Sequence, residues 1–348
     1  MTRRRVYIAY TGGTFGMQPT AGGFRPGRGL VQALQARLPP PGRGGMPQWE
    51  LHEYEQPIDS AEVQPRDWHT IAADIAARYD AYDGFVVIHG TDTMAYTASA
   101  LSFALTGLRK PVIVTGAQIP LAMPRSDAPG NLGGALLIAG QHPLPEVCLY
   151  FDGKLLRGNR ATKVSAADFD AFDSPNHPPL GRVGIQVAID QQRALPMPAR
   201  EAFQVVAPQA REVAVLRLHP GLTVALLERV LAPDVAGLVL QSYGAGNGPV
   251  GLPGFVDTLA AASARGVVIV NVSQCARASV DQTLYATGSA LAAAGVVGGH
   301  DMTVEAALTK LHHLLSLGLE AGEVRRRMQQ PCCGEFTWPP GEGSEPTT

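Results

Sequence analysis

The chain has 348 residues, with 28 Lys and Arg against 30 Asp and Glu and a formal charge of −2. That near-neutral balance argues against a strongly basic nucleic-acid surface or an acidic-polymer partner, and the length suits two domains, each able to bury its own core. Met1 to Tyr10 lacks the apolar core of a signal peptide and no later apolar run reaches membrane length; the four cysteines (Cys148, Cys275, Cys332, Cys333) show neither metal-ligand nor disulfide spacing, so a cytoplasmic protein with reduced thiols is expected.

Taken in order, Val6 to Tyr10 reads as a first strand ending in Thr11-Gly12-Gly13-Thr14-Phe15-Gly16. The glycines let a backbone approach a ligand closely and the threonines supply hydroxyls; the run is neither a dinucleotide fingerprint nor a P-loop. Residues 17–48 are rich in Gly, Pro and Arg, with a hairpin tip expected at Gly22 to Gly27. Such a segment directly after a strand-end motif reads either as an active-site lid or as a plain surface insertion. A strand at Trp49 to Glu55, the pair Asp59-Ser60 and a helix from Pro65 to Tyr79 with Trp68, Ile71 and Ile75 inward come next.

Phe85 to Ile88 is a short β-branched run and reads as a buried strand. His89-Gly90-Thr91-Asp92-Thr93-Met94 follows, then a helix pattern from Ala95 to Leu105. A hydroxyl and a carboxylate thus sit where a strand ends and a helix begins, the place where open parallel sheets bind ligands. Pro111 to Gln118 repeats that grammar, and a loop at Pro124 to Pro129 leads to a helix over Asn131 to Ala139. Strands are expected at Glu146 to Phe151 and Lys154 to Arg157, before a polar turn, Gly158 to Val164, that carries Lys163.

From Asp173 to Arg211 periodicity fades and prolines accumulate, as in an interdomain connection holding a short strand or two. Beyond it, strands at 213–218, 237–240 and 266–272 alternate with helices at 223–231, 255–265, 289–294 and 303–317, which requires parallel strands with crossover helices. The expected architecture is two-domain α/β: a larger N-terminal, mostly parallel sheet flanked by helices (1–190), a linker (191–212) and a smaller C-terminal parallel α/β domain (213–338). Residues 339–348 read as a disordered tail.

A threonine hydroxyl is protonated at neutral pH and needs help to attack. His89 closes a buried run and reads more readily as a packed, hydrogen-bonded side chain than as a base; His219, His300, His312 and His313 have no nucleophile signature beside them, and there is no Gly-x-Ser-x-Gly elbow. Lys163 is the alternative helper. If its turn and the Thr91 turn line one cleft, Asp92 would orient the ammonium and Lys163 would stabilise or receive the Thr91 proton; a purely structural Asp92–Lys163 ion pair remains the competing reading. Asp92, Asp127, Asp168 and Asp170 lack His or Glu at ligand spacing, so no metal is expected.

The Thr11 to Gly16 and His89 to Met94 segments resemble the two signature motifs of the bacterial-type L-asparaginases. Thr115 to Leu121, Arg157 to Lys163, Ser242 to Asn247 and Tyr285 to Gly288 extend the resemblance from Val6 to about Glu335, with the flavour of the intracellular type I group. It implies hydrolysis of L-asparagine to L-aspartate and ammonia without metal or cofactor. By position, Thr14 would be a nucleophile on the lid side, and Thr91, Lys163 and Asp92 a second triad. Asp92 would also bind the substrate ammonium; Ser60, with the Asp59 to Ala61 turn and Gly90, would hold the α-carboxylate, and the Ala117 carbonyl would face the side-chain amide. Asn247 matches the residue that completes a neighbouring subunit's site, which implies a homotetramer built as a dimer of dimers.

Three departures from that pattern matter. The lid tyrosine is Phe24 here, so Thr14 would be activated through Tyr10, water or Lys163, or turnover is slowed. Ala61 replaces a polar residue beside Ser60. An effector asparagine site implied near Thr162 and Cys275 has Gln241 where an arginine is usual, leaving an effector carboxylate without its cation, so weak or absent cooperativity is expected. Two other functions compete with this one: an amidase subunit serving glutamyl-tRNA, disfavoured because the first motif begins at residue 11, and a non-catalytic asparagine sensor with Phe24 as the disabling change.

Overall fold

A computed structural model describes residues 4–26, 29–198, 203–206 and 211–338. The tail expected at 339–348 and the side chain of Phe24 lie outside the described residues. The chain divides into two units, Met1–Ser174 with Pro178–Val206, and Pro175–His177 with Ala207–Thr348.

The first unit begins with β1 (Arg5–Gly12), the hairpin β2 (Met17–Thr20) and β3 (Gly23–Pro26), α1 (Leu30–Gln35), β4 (Gln48–Ile58), α2 (Pro65–Arg78), β5 (Gly84–Ile88) and α3 (Met94–Ala104). It continues through β6 (Leu105–Thr106), β7 (Val112–Thr115), α4 (Ala128–Gln141), β8 (Val147–Phe151) and β9 (Lys154–Arg157). Five short strands close it: β10 (Thr162–Lys163), β11 (Phe172–Asp173), β12 (Gly181–Val183), β13 (Val187–Ile189) and β14 (Gln204–Val205).

Its main sheet has the order β13-β12-β9-β8-β7-β5-β1-β4, with β8, β7, β5, β1 and β4 parallel and β9, β12 and β13 antiparallel. The central strands β5, β7 and β8 are buried throughout, which is why they read as continuous β-branched runs rather than alternating ones. Alternate residues of β1 and β5 serve two cores. Val6, Ile8, Val86 and Ile88 pack with Leu34 of α1 and Leu132 and Leu136 of α4, while Tyr7, Ala9, Phe85 and Val87 pack with Ile71 and Ile75 of α2 and Leu101 of α3.

Within the stretch from Asp173 to Arg211, β12 and β13 add to the main sheet and β14 pairs with β6. The hairpin differs from expectation. Gly23–Pro26 is its second strand and the tip lies at Ala21-Gly22, held by Thr20, whose hydroxyl donates to the Gly23 carbonyl at 2.5 Å and accepts from the Gly22 N–H.

The second unit contains β15 (Glu212–Arg217), α5 (Val224–Val230), β16 (Val235–Ser242), α6 (Phe255–Ala264), β17 (Val268–Ser273), α7 (Ala286–Ala293), β18 (Val297–Gly298), α8 (Val304–Ser316) and α9 (Ala321–Met328). Its four strands are parallel in the order β15-β16-β17-β18. Leu227, Phe255, Leu259 and Leu291 cover one face; Leu311, Leu314, Val324 and Met328 cover the other.

Beneath that second layer lies a fully buried ion pair. Lys310 of α8 reaches Glu335 at 2.5 Å and also donates to the carbonyls of Met328 and Gln330. Glu335 accepts from the N–H groups of Cys332 and Cys333, and the Phe336 ring lies 5.0 Å from the Lys310 ammonium. Burial pushes the Glu335 carboxyl up, but the ammonium and these donors outweigh it and hold the carboxyl below its ordinary range. Among the described residues, no helix is long and apolar enough to cross a membrane.

Candidate active site

The chain leaves β1 for β4 on one side and returns to β5 on the other, so the strand order reverses at β1. In an open parallel sheet the crevice beyond the carboxyl ends at such a reversal is the binding position. Both threonine motifs lie there. Thr14 opens a one-turn 3-10 helix, Thr14–Gly16, directly after β1, and Thr91 follows β5 by three residues.

Glycine lets the two turns touch. Gly13 has φ 79°, and a Cβ added to it would lie 2.3 Å from the Gly90 Cα; a Cβ on Gly90 would lie 2.4 Å from the Ser60 Oγ. Hydroxyls tie the same strand ends together, Thr11 donating to the Ile88 carbonyl at 3.0 Å and Thr93 to the Ser60 carbonyl at 2.6 Å. Ser60 is buried, and the exposed Asp59 caps its turn by accepting from the Ala61 N–H at 3.0 Å.

Lys163 stands on β10, whose pairing with β11 presents it toward Thr91. Its Nζ donates to Thr91 Oγ1 at 2.9 Å and to Asp92 Oδ1 at 2.8 Å. The lysine is mostly buried, whereas the Asp92 side chain is 64% exposed and open to a ligand. Residues 71 and 72 positions apart in sequence therefore form one bridge, with an ammonium held between a hydroxyl and a carboxylate.

Gln118 completes this group, although the sequence assigned it no role. The Thr91 hydroxyl donates to Gln118 Oε1 at 3.2 Å, and Gln118 Nε2 donates to the Asp168 carbonyl on the loop after Lys163. Since Lys163 also donates to Thr91, the threonine proton points to Gln118 and an oxygen lone pair faces the ammonium. Asp127 anchors the segment by accepting from the N–H groups of Gln118 and Ile119, and Asn131 donates to both Asp127 and the Gly116 carbonyl. The signal was present in sequence as polar residues after a buried strand, but nothing in the spacing said which would meet Thr91.

His89 is packed. Its Nδ1 lies 2.7 Å from the Gly90 carbonyl and its Nε2 3.0 Å from the Thr97 hydroxyl, and burial pushes its pKa down, so the ring is neutral. Ala117 is buried two residues after β7. Phe24 lies on β3 of the hairpin that follows the Thr14 turn. Tyr10 is 1% exposed; burial and the Glu53 carboxylate push its phenol up to about 12, against the opposing pull of the Gly16 backbone N–H.

Thr162 neighbours Lys163 on β10 in the first unit. In the second unit, Gln241 is on β16, Cys275 is exposed after β17, and Asn247 ends the turn that follows β16. Among the described residues, no three His, Cys, Asp or Glu side chains gather as a metal would require.

Residues 5–195 match the family model for the asparaginase N-terminal domain, and residues 212–328 match that for the glutaminase/asparaginase C-terminal domain. L-asparaginase 1 of Escherichia coli K12 is 49% identical over 338 residues, covering 97% of this chain and 99% of that protein. The 60 kDa lysophospholipase of Homo sapiens is 41% identical over 99% of this chain and 63% of its own length. The crystal structure of L-asparaginase I from Vibrio cholerae superposes with a TM-score of 0.88 at 45% identity, covering 97% of this chain and all of that one. The chain belongs to the asparaginase family of amidohydrolases.

Proposed function

We propose that the protein hydrolyses L-asparagine to L-aspartate and ammonia in the cytoplasm, through a threonine nucleophile assisted by a Thr91–Lys163–Asp92 relay. The observation that carries this reading is the Lys163 ammonium bridging the Thr91 hydroxyl and the Asp92 carboxylate at the strand-order reversal. Family membership and near full-length similarity to proteins named L-asparaginase support the substrate.

A threonine Oγ attacks the side-chain amide carbon, forming a C–O bond and an oxyanion that strand-end N–H groups and hydroxyls stabilise. The C–N bond then breaks and ammonia leaves with the proton released by the threonine. Water attacks the resulting acyl ester, giving aspartate and restoring the hydroxyl. Thr14 is the nucleophile beside the hairpin; Thr91, Lys163 and Asp92 act in the second attack. Asp92, open to solvent, receives the substrate ammonium, while Ser60, the Asp59 turn and Gly90 hold the α-carboxylate and the Ala117 carbonyl faces the amide. Glutamine, one methylene longer, is disfavoured by about 1–3 kcal/mol.

Asn247 completes the site of a neighbouring subunit in a homotetramer built as a dimer of dimers. Gln241 supplies no cation for an effector carboxylate, so the asparagine curve shows weak or absent cooperativity.

The test is ammonia release against asparagine concentration, with glutamine alongside, for the wild type, Thr91→Ala and Lys163→Ala. Turnover of asparagine that is abolished in both folded variants is expected. Undiminished turnover in either variant would sink the relay, and asparagine binding without turnover by the wild type would favour the sensor reading.

A further inference from the structure

Asn247 sits on a rigid platform. Tyr243 and Asn247 exchange backbone hydrogen bonds at 2.9 and 2.8 Å, closing the turn. Each carbonyl inside it has a donor: Ser273 Oγ to Gly244 at 2.6 Å, the Asp281 N–H to Ala245 at 3.1 Å, and the buried Asn271 Nδ2 to Gly246 at 3.0 Å. The backbone therefore cannot swing to choose which end of the Asn247 carboxamide faces outward.

The side chain is fixed as well. Thr287, in the first turn of α7, donates its hydroxyl to Asn247 Oδ1 at 2.5 Å. The hydroxyl is the donor and the carboxamide oxygen the acceptor, so the oxygen faces Thr287. With the oxygen turned to Thr287, the two Nδ2 N–H donors lie on the opposite side of the carboxamide and are the groups it presents there. A donor pair suits an anionic oxygen and cannot accept from an ammonium.

We propose that Thr287 is a positioning residue that locks the Asn247 carboxamide oxygen inward, so that Asn247 donates to the α-carboxylate of the amino-acid substrate. This rests on the reading that Asn247 contributes to an active site. It divides the two charged ends of the substrate: Asp92 takes the ammonium, and Asn247 joins the Ser60 turn at the carboxylate.

Steady-state kinetics of Asn247→Ala, Asn247→Asp, Thr287→Val and Thr287→Ser, each checked for an unchanged melting temperature, test it through the sign of one effect. Asn247→Ala should raise KM about tenfold with little change in kcat. Asn247→Asp, nearly isosteric and still able to accept from Thr287, should raise KM further, because it puts a carboxylate oxygen where the donors were. Thr287→Val should raise KM by about threefold or more, with Thr287→Ser restoring it to within about twofold. A KM for Asn247→Asp at or below the wild-type value would overturn the proposal, since Asn247 would then face the ammonium; an unchanged KM in Thr287→Val would remove Thr287 from the role. A wild-type KM in Asn247→Ala would instead show that Asn247 takes no part in the site, a separate failure belonging to the underlying reading.

Discussion

Gly13 and Gly90 lie backbone against backbone, so close that a methyl group on Gly13 would fall 2.3 Å from the Gly90 Cα. The first follows β1 and carries Thr14 behind it; the second follows β5 and carries Thr91. Gly13→Ala adds both a clash with backbone and a strained left-handed φ, so stability should fall by about 2–3 kcal/mol. Separation of the two threonine turns should lower kcat/KM by about a hundredfold. Urea unfolding and asparagine kinetics on the same variant check both numbers.

Tyr10→Phe should behave differently. The hydroxyl that it removes is buried with only the Gly16 backbone N–H turned to it, so stability should stay within about 1 kcal/mol of the wild type. A phenol pushed up to about 12 keeps its proton at neutral pH and makes a poor base, so kcat should stay within about threefold of the wild type. A larger loss of turnover at unchanged stability would identify Tyr10 as the group that assists Thr14 in the absence of a lid phenol at Phe24.

Glu335→Gln leaves the Lys310 ammonium buried without a countercharge, which should cost about 3–5 kcal/mol. The double variant Lys310→Met/Glu335→Leu should recover much of that loss, because an apolar pair needs no compensation. Denaturant midpoints of the three proteins make the comparison.

Acid should weaken the second unit through α8. Burial lowers His312 to about 4, and burial with the Lys310 and Arg327 charges lowers His313 to about 4, against about 6.5 in an unfolded chain. The unfolded state therefore takes up protons first as pH falls through 6.5. Stability should drop between about pH 6.5 and 4 by on the order of 2 kcal/mol for each ring and level off below. Unfolding free energies at pH 7.5, 6 and 4.5, with His312→Gln/His313→Gln showing a flatter slope, check the sign.

Most of this fold was legible as period and punctuation. The strand runs at 85–88 and 112–115 stand out because parallel central strands are buried on both faces, and α8 because its apolar face repeats regularly. What escaped had little apolar content or sat beside a misleading proline. In α9 only Val324 and Met328 are buried among arginines, too few to mark a period, and α4 starts at Ala128 because Pro129 is tolerated in a first helical turn. The glycines at 22–23 and 27 point to a later hairpin tip than the one formed, because the turn is closed by the Thr20 hydroxyl.

At the site, Thr14, Thr91, Asp92 and Lys163 could be singled out as polar residues in turns beside strand ends. The partners that fix them could not. Gln118 meets Thr91 across 27 positions and Thr287 meets Asn247 across 40, and long-range pairings of that kind leave no local trace in spacing or composition.

The buried Lys310–Glu335 pair also sets an order of events during synthesis. Lys310 emerges from the ribosome 25 residues before the carboxylate that neutralises it. Until then α8 carries an ammonium that cannot be buried without a large desolvation cost, so the second sheet stays uncovered on that face. The first unit has a buried pair of its own, Glu146 with Arg157, but those partners are made only 11 residues apart, so that unit can close as it is made. A ribosome stalled before residue 335 would hold a folded first unit tethered to an apolar, half-covered β-sheet, the species on which chaperones and proteases act.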